Sequence, residues 1–275
     1  MAPARSVGLH RKLWEPKEIR LETWYHTRIG PLDAWIKRSQ ADWYLTHERQ
    51  RDREKVQPRP VPLHPAQSSA RVERLTWTRW VAGEEGNRVQ FLPVLPDRSV
   101  VIRPRYPLNV PRGKDVLFFV NIPIWVRILV GLPETVMLCE LPTVVLSNTW
   151  FGDPITGELC YSLKTRAMRD LKAVENHAYM ATCPVLIRNQ APSDLDFQRI
   201  CIRVEHLSVY QGETRLWTNR VEVLFRGEEL TGQITFNRNV PGFDEAAVPL
   251  CPAREPVEKS LLKRSFFFLK SLTGF

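Results

Sequence analysis

Three side chains in the middle of this chain have the chemical types of a nucleophile and its base. Cys160 or Ser147 would attack an electrophile and His177 would accept the proton. Asp153 or Glu158 would then orient the imidazole. The spacing does not support this reaction, because no strand–turn–helix motif presents the serine and a thiol within a strand usually packs in a core. We therefore predict no catalytic residue.

The loop that precedes Cys160 is better suited to binding than to catalysis. Asn148 and Asp153 offer hydrogen-bonding groups beside the rings of Trp150 and Phe151. The two rings either contact a partner or close the end of the domain, while Asp-Pro and Thr-Gly pairs turn the chain. Both interpretations stay open, and these four residues are candidate partner-binding residues.

The same loop also allows an enzymatic alternative. Asp153, Glu158, Lys164 and Arg166 would surround a pocket beside Trp150 and act on an anionic small molecule. Metal and cofactor sites are not predicted, because the six histidines show no HxH or HExxH spacing and the five cysteines show no CxxC spacing. No glycine-rich loop opens a helix as a phosphate cradle.

Composition indicates a globular protein with a basic surface. Of the 275 residues, 43% are hydrophobic and 25% are charged, which is enough for a sizeable core. The net charge of +9 favours anionic partners such as nucleic acid, a membrane surface or an acidic protein. An odd number of cysteines, without a framework spacing, argues for a reducing compartment. The N-terminus lacks the apolar segment of a secretory signal, so we expect a cytoplasmic protein.

The hydrophobic pattern predicts a mainly β fold. In residues 18–23 apolar and charged side chains alternate with the period of a half-buried strand, and the pattern continues to Arg49 as a β-meander. Residues 71–80 also have the composition of a strand. From residue 88 to 238 short strands recur every 8–12 residues or so, which is typical of an antiparallel β-sandwich.

These patterns divide the chain into five segments. The meander occupies residues 1–49, a proline-rich linker or loop residues 50–70, and the sandwich residues 71–240. Residues 241–255 form a tether, and residues 256–275 form a C-terminal amphipathic helix.

The C-terminal segment has the sequence features of a helix. Pro256 stands at the first helical position, and Gly274 can cap the end. One side is apolar and the other basic, which suits docking on the protein's own domain, on a partner groove or on an anionic membrane. Its predicted partner-binding residues are Leu262, Lys263, Phe266, Phe267, Phe268 and Lys270.

Aromatic and basic residues are also interleaved in three other stretches, 24–28, 74–80 and 215–220. A basic stacking face for nucleic acid would have this composition. Strand alternation explains it more simply, with aromatic rings facing inward and arginines facing outward. Nucleic-acid binding is therefore the third and weakest alternative.

Three segments of the chain resemble a known family. They are Trp24–Trp35, Leu146–Arg169 and Pro184–Asn189, and the likeness extends over about residues 14–238. The family that they resemble is an uncharacterised prokaryotic one, a domain of unknown function. The resemblance implies kinship and brings no activity, cofactor or ligand with it.

We therefore predict a non-enzymatic cytoplasmic interaction protein. It would dock through a surface of the sandwich and through its basic C-terminal helix. Its partner would be a protein, including a second copy of this chain, or an anionic membrane surface to which it binds peripherally.

Overall fold

In a computed structural model, the described residues are 12–256 apart from 53–55, 58, 68, 82–85, 132–134, 153, 156, 228–232 and 237–241. They form 22 strands and no helix of seven or more residues. In chain order the strands are β1 (Lys17–Glu18), β2 (Trp24–Ile29), β3 (Leu32–Arg38), β4 (Asp42–Arg49), β5 (Val61–Pro65), β6 (Thr78–Val81), β7 (Arg88–Val94), β8 (Val100–Pro104), β9 (Leu108–Val110), β10 (Asp115–Pro123), β11 (Trp125–Val130), β12 (Val136–Pro142), β13 (Ser147–Phe151), β14 (Glu158–Thr165), β15 (Met180–Asn189), β16 (Leu195–Phe197), β17 (Ile200–Ile202), β18 (Val209–Gln211), β19 (Leu216–Thr218), β20 (Val221–Phe225), β21 (Gln233–Phe236) and β22 (Val248–Cys251). Residues 12–14 are also helical, and the short helical elements that follow are the α-helix Ala70–Glu73 and the 3-10 turns Leu171–Ala173 and Val204–His206.

The strands form several sheets, and the arrangement includes a curled half-barrel. The N-terminal sheet has the order β5-β2-β3-β4-β6, and a second sheet has the order β1-β7-β11-β12. A third sheet, which we call the hairpin sheet, has the order β13-β14-β8-β17. The largest sheet has the order β21-β20-β15-β19-β18-β22, with β10 also paired to β15, and β9 pairs with β16.

The mainly β prediction is confirmed, but the sheets are not antiparallel throughout. β14 runs parallel to β8, and β15 runs parallel to both β19 and β20. Each of these parallel pairs joins two strands that are neighbours in a sheet but are not consecutive in the sequence. The regular spacing of strands along the sequence does not record such pairings, so the sequence could not distinguish mixed sheets from antiparallel ones.

The meander formed by β2, β3 and β4 is present, but its first strand begins later than predicted. Residues 18–23 do not continue as one strand, because Glu22 has a positive φ of 54° and its N–H bonds the carbonyl of Arg38. A non-glycine residue in this region interrupts an extended strand. The predicted strand at residues 71–80 is likewise wrong over its first half. There the Ser69 hydroxyl accepts a hydrogen bond from the Val72 N–H and caps the short helix.

The two segments predicted as linker and tether both contribute strands. β5 lies within residues 50–70 and pairs with β2. β22 lies within residues 241–255 and pairs with β18. After β22, Arg254 donates to the Leu95 carbonyl and pairs with Glu140 at 2.6 Å. The division into five segments stays a prediction.

The main apolar cluster of the described residues joins the sheets and extends from Leu13 to Cys251. β10 and β15 contribute to it and are in register over nine residue pairs, from Asp115 opposite Arg188 to Pro123 opposite Met180. β15 is buried along most of its length because strands flank it on both sides. This burial matches its nearly continuous apolar sequence.

No helix among the described residues has the length and apolar character needed to span a membrane. The predicted amphipathic helix falls almost entirely outside the described residues, which end at Pro256. Its six candidate residues, Leu262, Lys263, Phe266, Phe267, Phe268 and Lys270, therefore stay predictions.

Asn189, the last residue of β15, generates a stability prediction. Its amide donates to the carbonyls of Val110 and Ser193 at 2.9 and 3.0 Å, and its Oδ1 accepts from the Ala191 N–H at 3.0 Å. The side chain is buried, so replacement leaves three backbone groups unsatisfied. We expect Asn189→Ala to lower the free energy of unfolding by about 3 kcal/mol in denaturant titrations.

The neighbouring exposed residue provides the control. Gln190→Ala should change the free energy of unfolding by less than about 0.5 kcal/mol. Equal effects of the two variants would show that the buried amide does not hold the end of β15.

Candidate functional site

The candidate site is the hairpin sheet, and strand alternation determines what each of its faces carries. Val100 and Ile102 of β8, and Ile200 and Ile202 of β17, point into the main core. The residues between them, Val101 and Cys201 among others, therefore point to the opposite side, which we call the outer face. Chemically active side chains of β8, β14 and β17 collect on this outer face.

A small buried cluster lies at the centre of the outer face. It consists of Val101, Phe151, Cys160 and Cys201 and is separate from the main core. Beside it, Arg203 binds Glu158 with two hydrogen bonds of 3.0 and 2.8 Å. Burial is the largest single effect on Arg203 and lowers its pKa, but the nearby acidic groups, Glu158 first and then Cys201 and Glu205, together outweigh it, so the pKa lies above its ordinary value.

The two thiols of the cluster lie 3.8 Å apart, and the Cys201 Sγ lies 3.9 Å from the Glu158 carboxylate. These three groups are close enough to hold a metal ion. However, both Glu158 oxygens already bind Arg203, and the hydrogen bond with Cys160 together with burial raises the pKa of Cys201. A cation would need free thiolates and a free carboxylate, so this arrangement is better suited to packing than to ligation.

Two more arginines cross the outer face. Arg103 of β8 donates to the Ser162 hydroxyl at 2.9 Å and to the Thr149 hydroxyl at 3.4 Å. The guanidinium of Arg199 lies over the ring of Phe151, at 5.9 Å from its centroid. Burial, and then the positive charge of Arg103, lowers the pKa of Arg199.

The other side of the β13–β14 hairpin carries apolar side chains that extend beyond the core. Trp150 and Leu159 are opposite each other in register and are 48% and 47% exposed. Ile155, in the loop of the hairpin, is also exposed. We call these three residues the apolar tip.

The structure separates the predicted loop residues. Asn148 is exposed and Trp150 half exposed, whereas Phe151 is buried in the small cluster. Trp150 is therefore partly exposed, and Phe151 packs with Cys160 and Cys201. The partner-binding roles of both residues stay predictions. Asp153 lies outside the described residues.

The proposed nucleophiles and their base are not brought together. His177 bonds Glu175 and stacks on Tyr179, whereas Cys160 is buried against Cys201. Within the described residues no hydrogen bond links His177 to Cys160 or to Ser147. Of the residues proposed for an anionic substrate, Glu158 pairs with Arg203 and Lys164 is exposed on the outer face.

The N-terminal sheet shows that strand alternation does not separate aromatic from basic residues as expected. In β2, Trp24, His26 and Arg28 share one half-buried face, and the residues between them are buried. The cations of this face are paired, because Arg28 binds Asp33 at 2.8 Å and Lys37 binds Glu22 at 2.8 Å. Such neutralised cations offer little attraction to a phosphate backbone.

Sequence reasoning missed Arg103, Arg199, Arg203 and Cys201. A signal for the last three was present, because Arg199-Ile200-Cys201-Ile202-Arg203 alternates with a period of two. The pattern predicts that both arginines lie on the same side as Cys201. It does not predict that β8 lies between this strand and β14.

Comparison with known proteins identifies kinship and no activity. The model of the family described as "Protein of unknown function (DUF432)" matches residues 13–270, which confirms the resemblance seen in the sequence. No curated protein and no solved structure matches the chain.

Gly152, at the end of β13, generates a prediction about the hairpin. It has a φ of +106°, and a Cβ there would lie 2.9 Å from the Gly157 Cα across the hairpin loop. Gly152→Ala therefore adds a backbone clash to the conformational strain, and we expect it to lower the free energy of unfolding by about 2–3 kcal/mol.

Gly227 is the matched control, because its φ is +115° and a Cβ at this position would meet no described atom within 4 Å. Gly227→Ala should therefore cost only the conformational strain, about 1–2 kcal/mol. Equal losses for the two variants in denaturant titrations would contradict the close contact across the hairpin loop.

Proposed function

We propose that this chain, which belongs to the DUF432 family, is an interaction protein that docks a protein partner through its β13–β14 hairpin. The observation that carries the proposal is the exposure of Trp150 and Leu159, which are opposite each other on one face of the hairpin. Large apolar side chains that are grouped on a surface mark interaction sites more often than isolated ones do.

The composition of the apolar tip suits a small docking element. Tryptophan is among the residues that contribute most to protein–protein binding, because its large rigid ring is buried at low entropic cost. Trp150, Leu159 and Ile155 together present an aromatic ring and two aliphatic side chains. A shallow apolar groove on the partner would cover them.

The position of the hairpin also favours docking. β13 is an edge strand of its sheet, and edge strands can pair with a strand of another chain. Phe151 and Cys160 fix the hairpin from the outer face. The apolar tip is therefore presented on a supported element, which reduces the entropy lost on binding.

The C-terminal segment is the second part of this proposal. Its basic and apolar residues would strengthen docking or direct the protein to an anionic membrane or a membrane-bound partner. The amphipathic helix, the sandwich arrangement of residues 88–238 and a cytoplasmic location belong to the same proposal. Truncation after Pro256 tests the segment, because it retains the Arg254 contacts with Glu140 and Leu95.

The docking prediction is tested by affinity capture from cells that make this protein. Trp150→Asp and Leu159→Asp place a charge in the proposed interface, and we expect each to reduce recovery of a specific partner by at least about tenfold. Val81→Asp is the matched control, because Val81 is 78% exposed on β6. It should recover the partner as the wild type does.

The chain truncated after Pro256 shows how much the C-terminal segment contributes to docking. Reduced capture after truncation, or loss of flotation with anionic vesicles, would support a role of the C-terminal segment. The proposal would be wrong if Trp150→Asp, Leu159→Asp and Val81→Asp all recovered the same proteins in the same amounts.

An anionic small molecule near the Trp150 loop is the second candidate. It is favoured by a specific observation, the two arginines that lie on the outer face of the hairpin sheet without a carboxylate partner among the described residues. Arg103 and Arg199 are not among the residues that the sequence indicated for an anionic small molecule, which were Asp153, Glu158, Lys164 and Arg166.

A further inference from the structure

Arg103 and Arg199 differ from several half-buried arginines among the described residues. Arg28 pairs with Asp33, Arg203 with Glu158, and both Arg127 and Arg254 with Glu140. Among the described residues, no carboxylate lies within ion-pair distance of Arg103 or Arg199. Two half-buried like charges without a counter-charge carry an electrostatic cost, which an anion placed between them would relieve.

The anchoring contacts place the two guanidinium groups close together. Arg103 reaches Thr149, and Arg199 lies over Phe151. Thr149 and Phe151 are two residues apart on one face of β13, so their side chains project about 7 Å from each other. A tetrahedral oxyanion with several oxygens can accept hydrogen bonds from two guanidinium groups at such a separation.

The contacts also leave donors available to a ligand. Arg103 uses two of its five N–H groups, in bonds to Ser162 and Thr149. Each of these hydroxyls accepts a bond from Arg103 and keeps its own O–H to donate. The Arg199 guanidinium lies over the ring of Phe151, and its N–H groups make no hydrogen bond with the other described residues.

A third cation lies beside the pair. Lys164 is in register with Arg103 on the neighbouring strand and is exposed. We propose that Arg103, Arg199 and Lys164 bind a phosphate group on the outer face of the hairpin sheet. The fork of a guanidinium matches the spacing of phosphate oxygens, and lysine adds a point charge.

The proposal does not depend on partner docking, because it uses the opposite face of the hairpin. Trp150 and Leu159 contribute nothing to the phosphate site, and neither Arg103 nor Arg199 belongs to the apolar tip. The two proposals can therefore fail separately.

Isothermal titration calorimetry of the full chain with inorganic phosphate tests the proposal at low ionic strength. Arg199→Gln is the informative variant, because the described contact of this side chain is a cation–π contact with the Phe151 ring and its loss does not remove a buried hydrogen bond. We expect it to weaken phosphate binding by at least about tenfold. Arg199→Lys should give an intermediate affinity, because it keeps the charge and loses the fork.

Arg88→Gln is the matched control for the loss of one positive charge, because Arg88 is exposed and pairs with Glu18 in another sheet. It should bind phosphate within about twofold of the wild type. Glycerol phosphate in place of inorganic phosphate identifies the source of the ligand: tighter binding indicates a phosphate ester, and weaker binding indicates the free ion.

Two results would overturn the proposal. One is the absence of measurable binding by the wild type at about 10 mM phosphate. The other is equal binding by the wild type and Arg199→Gln, when thermal melting shows that both proteins are folded.

Discussion

The alternation of side chains in β8, β14 and β17 is the constraint on which the candidate site depends. Val100, Ile102, Ile200 and Ile202 belong to the main core, and their burial fixes which face of the sheet points inward. A shift of the register by one residue would expose them and would bury Arg103 and Arg203 instead. The same hydrophobic free energy that holds the sheet on the core therefore holds the arginines on the outside.

This constraint gives the hairpin two different surfaces. Phe151, Cys160 and Cys201 pack beneath the arginines on the outer face. Trp150 and Leu159 project on the other side, beyond the edge of the core. Packing on one surface supports the hairpin while the other presents apolar groups, so a single element can bind an anion and a protein partner without competition between them.

The sequence was most informative where a local pattern determined the structure. It predicted a mainly β chain and the meander of β2, β3 and β4, because alternation of side chains is a local feature. It failed at Glu22, where the positive φ ends the pattern, and at β8, β14 and β15, where parallel partners come from distant parts of the chain. Composition alone does not encode such partners.

The same distinction applies to the site. The segment around Trp150 stood out because aromatic residues lie beside glycine and proline, but the prediction of a loop there was wrong for residues Ser147–Phe151, which form β13. The separate roles of Trp150 and Phe151 required the register of β13 with β14, since adjacent residues of a strand face opposite sides. Arg103 and Arg199 are 96 residues apart in the sequence and meet because β17 pairs with β8.

The most direct test of this account is a nuclear magnetic resonance titration that follows the arginine Nε–Hε signals while inorganic phosphate is added. The account predicts that the signals of Arg103 and Arg199 shift together with a single affinity, because both bind one anion. The signal of Arg127, which pairs with Glu140 at 2.8 Å, should stay in place. Shifts of equal size at Arg103, Arg127 and Arg199, or no shift at any of them, would contradict it.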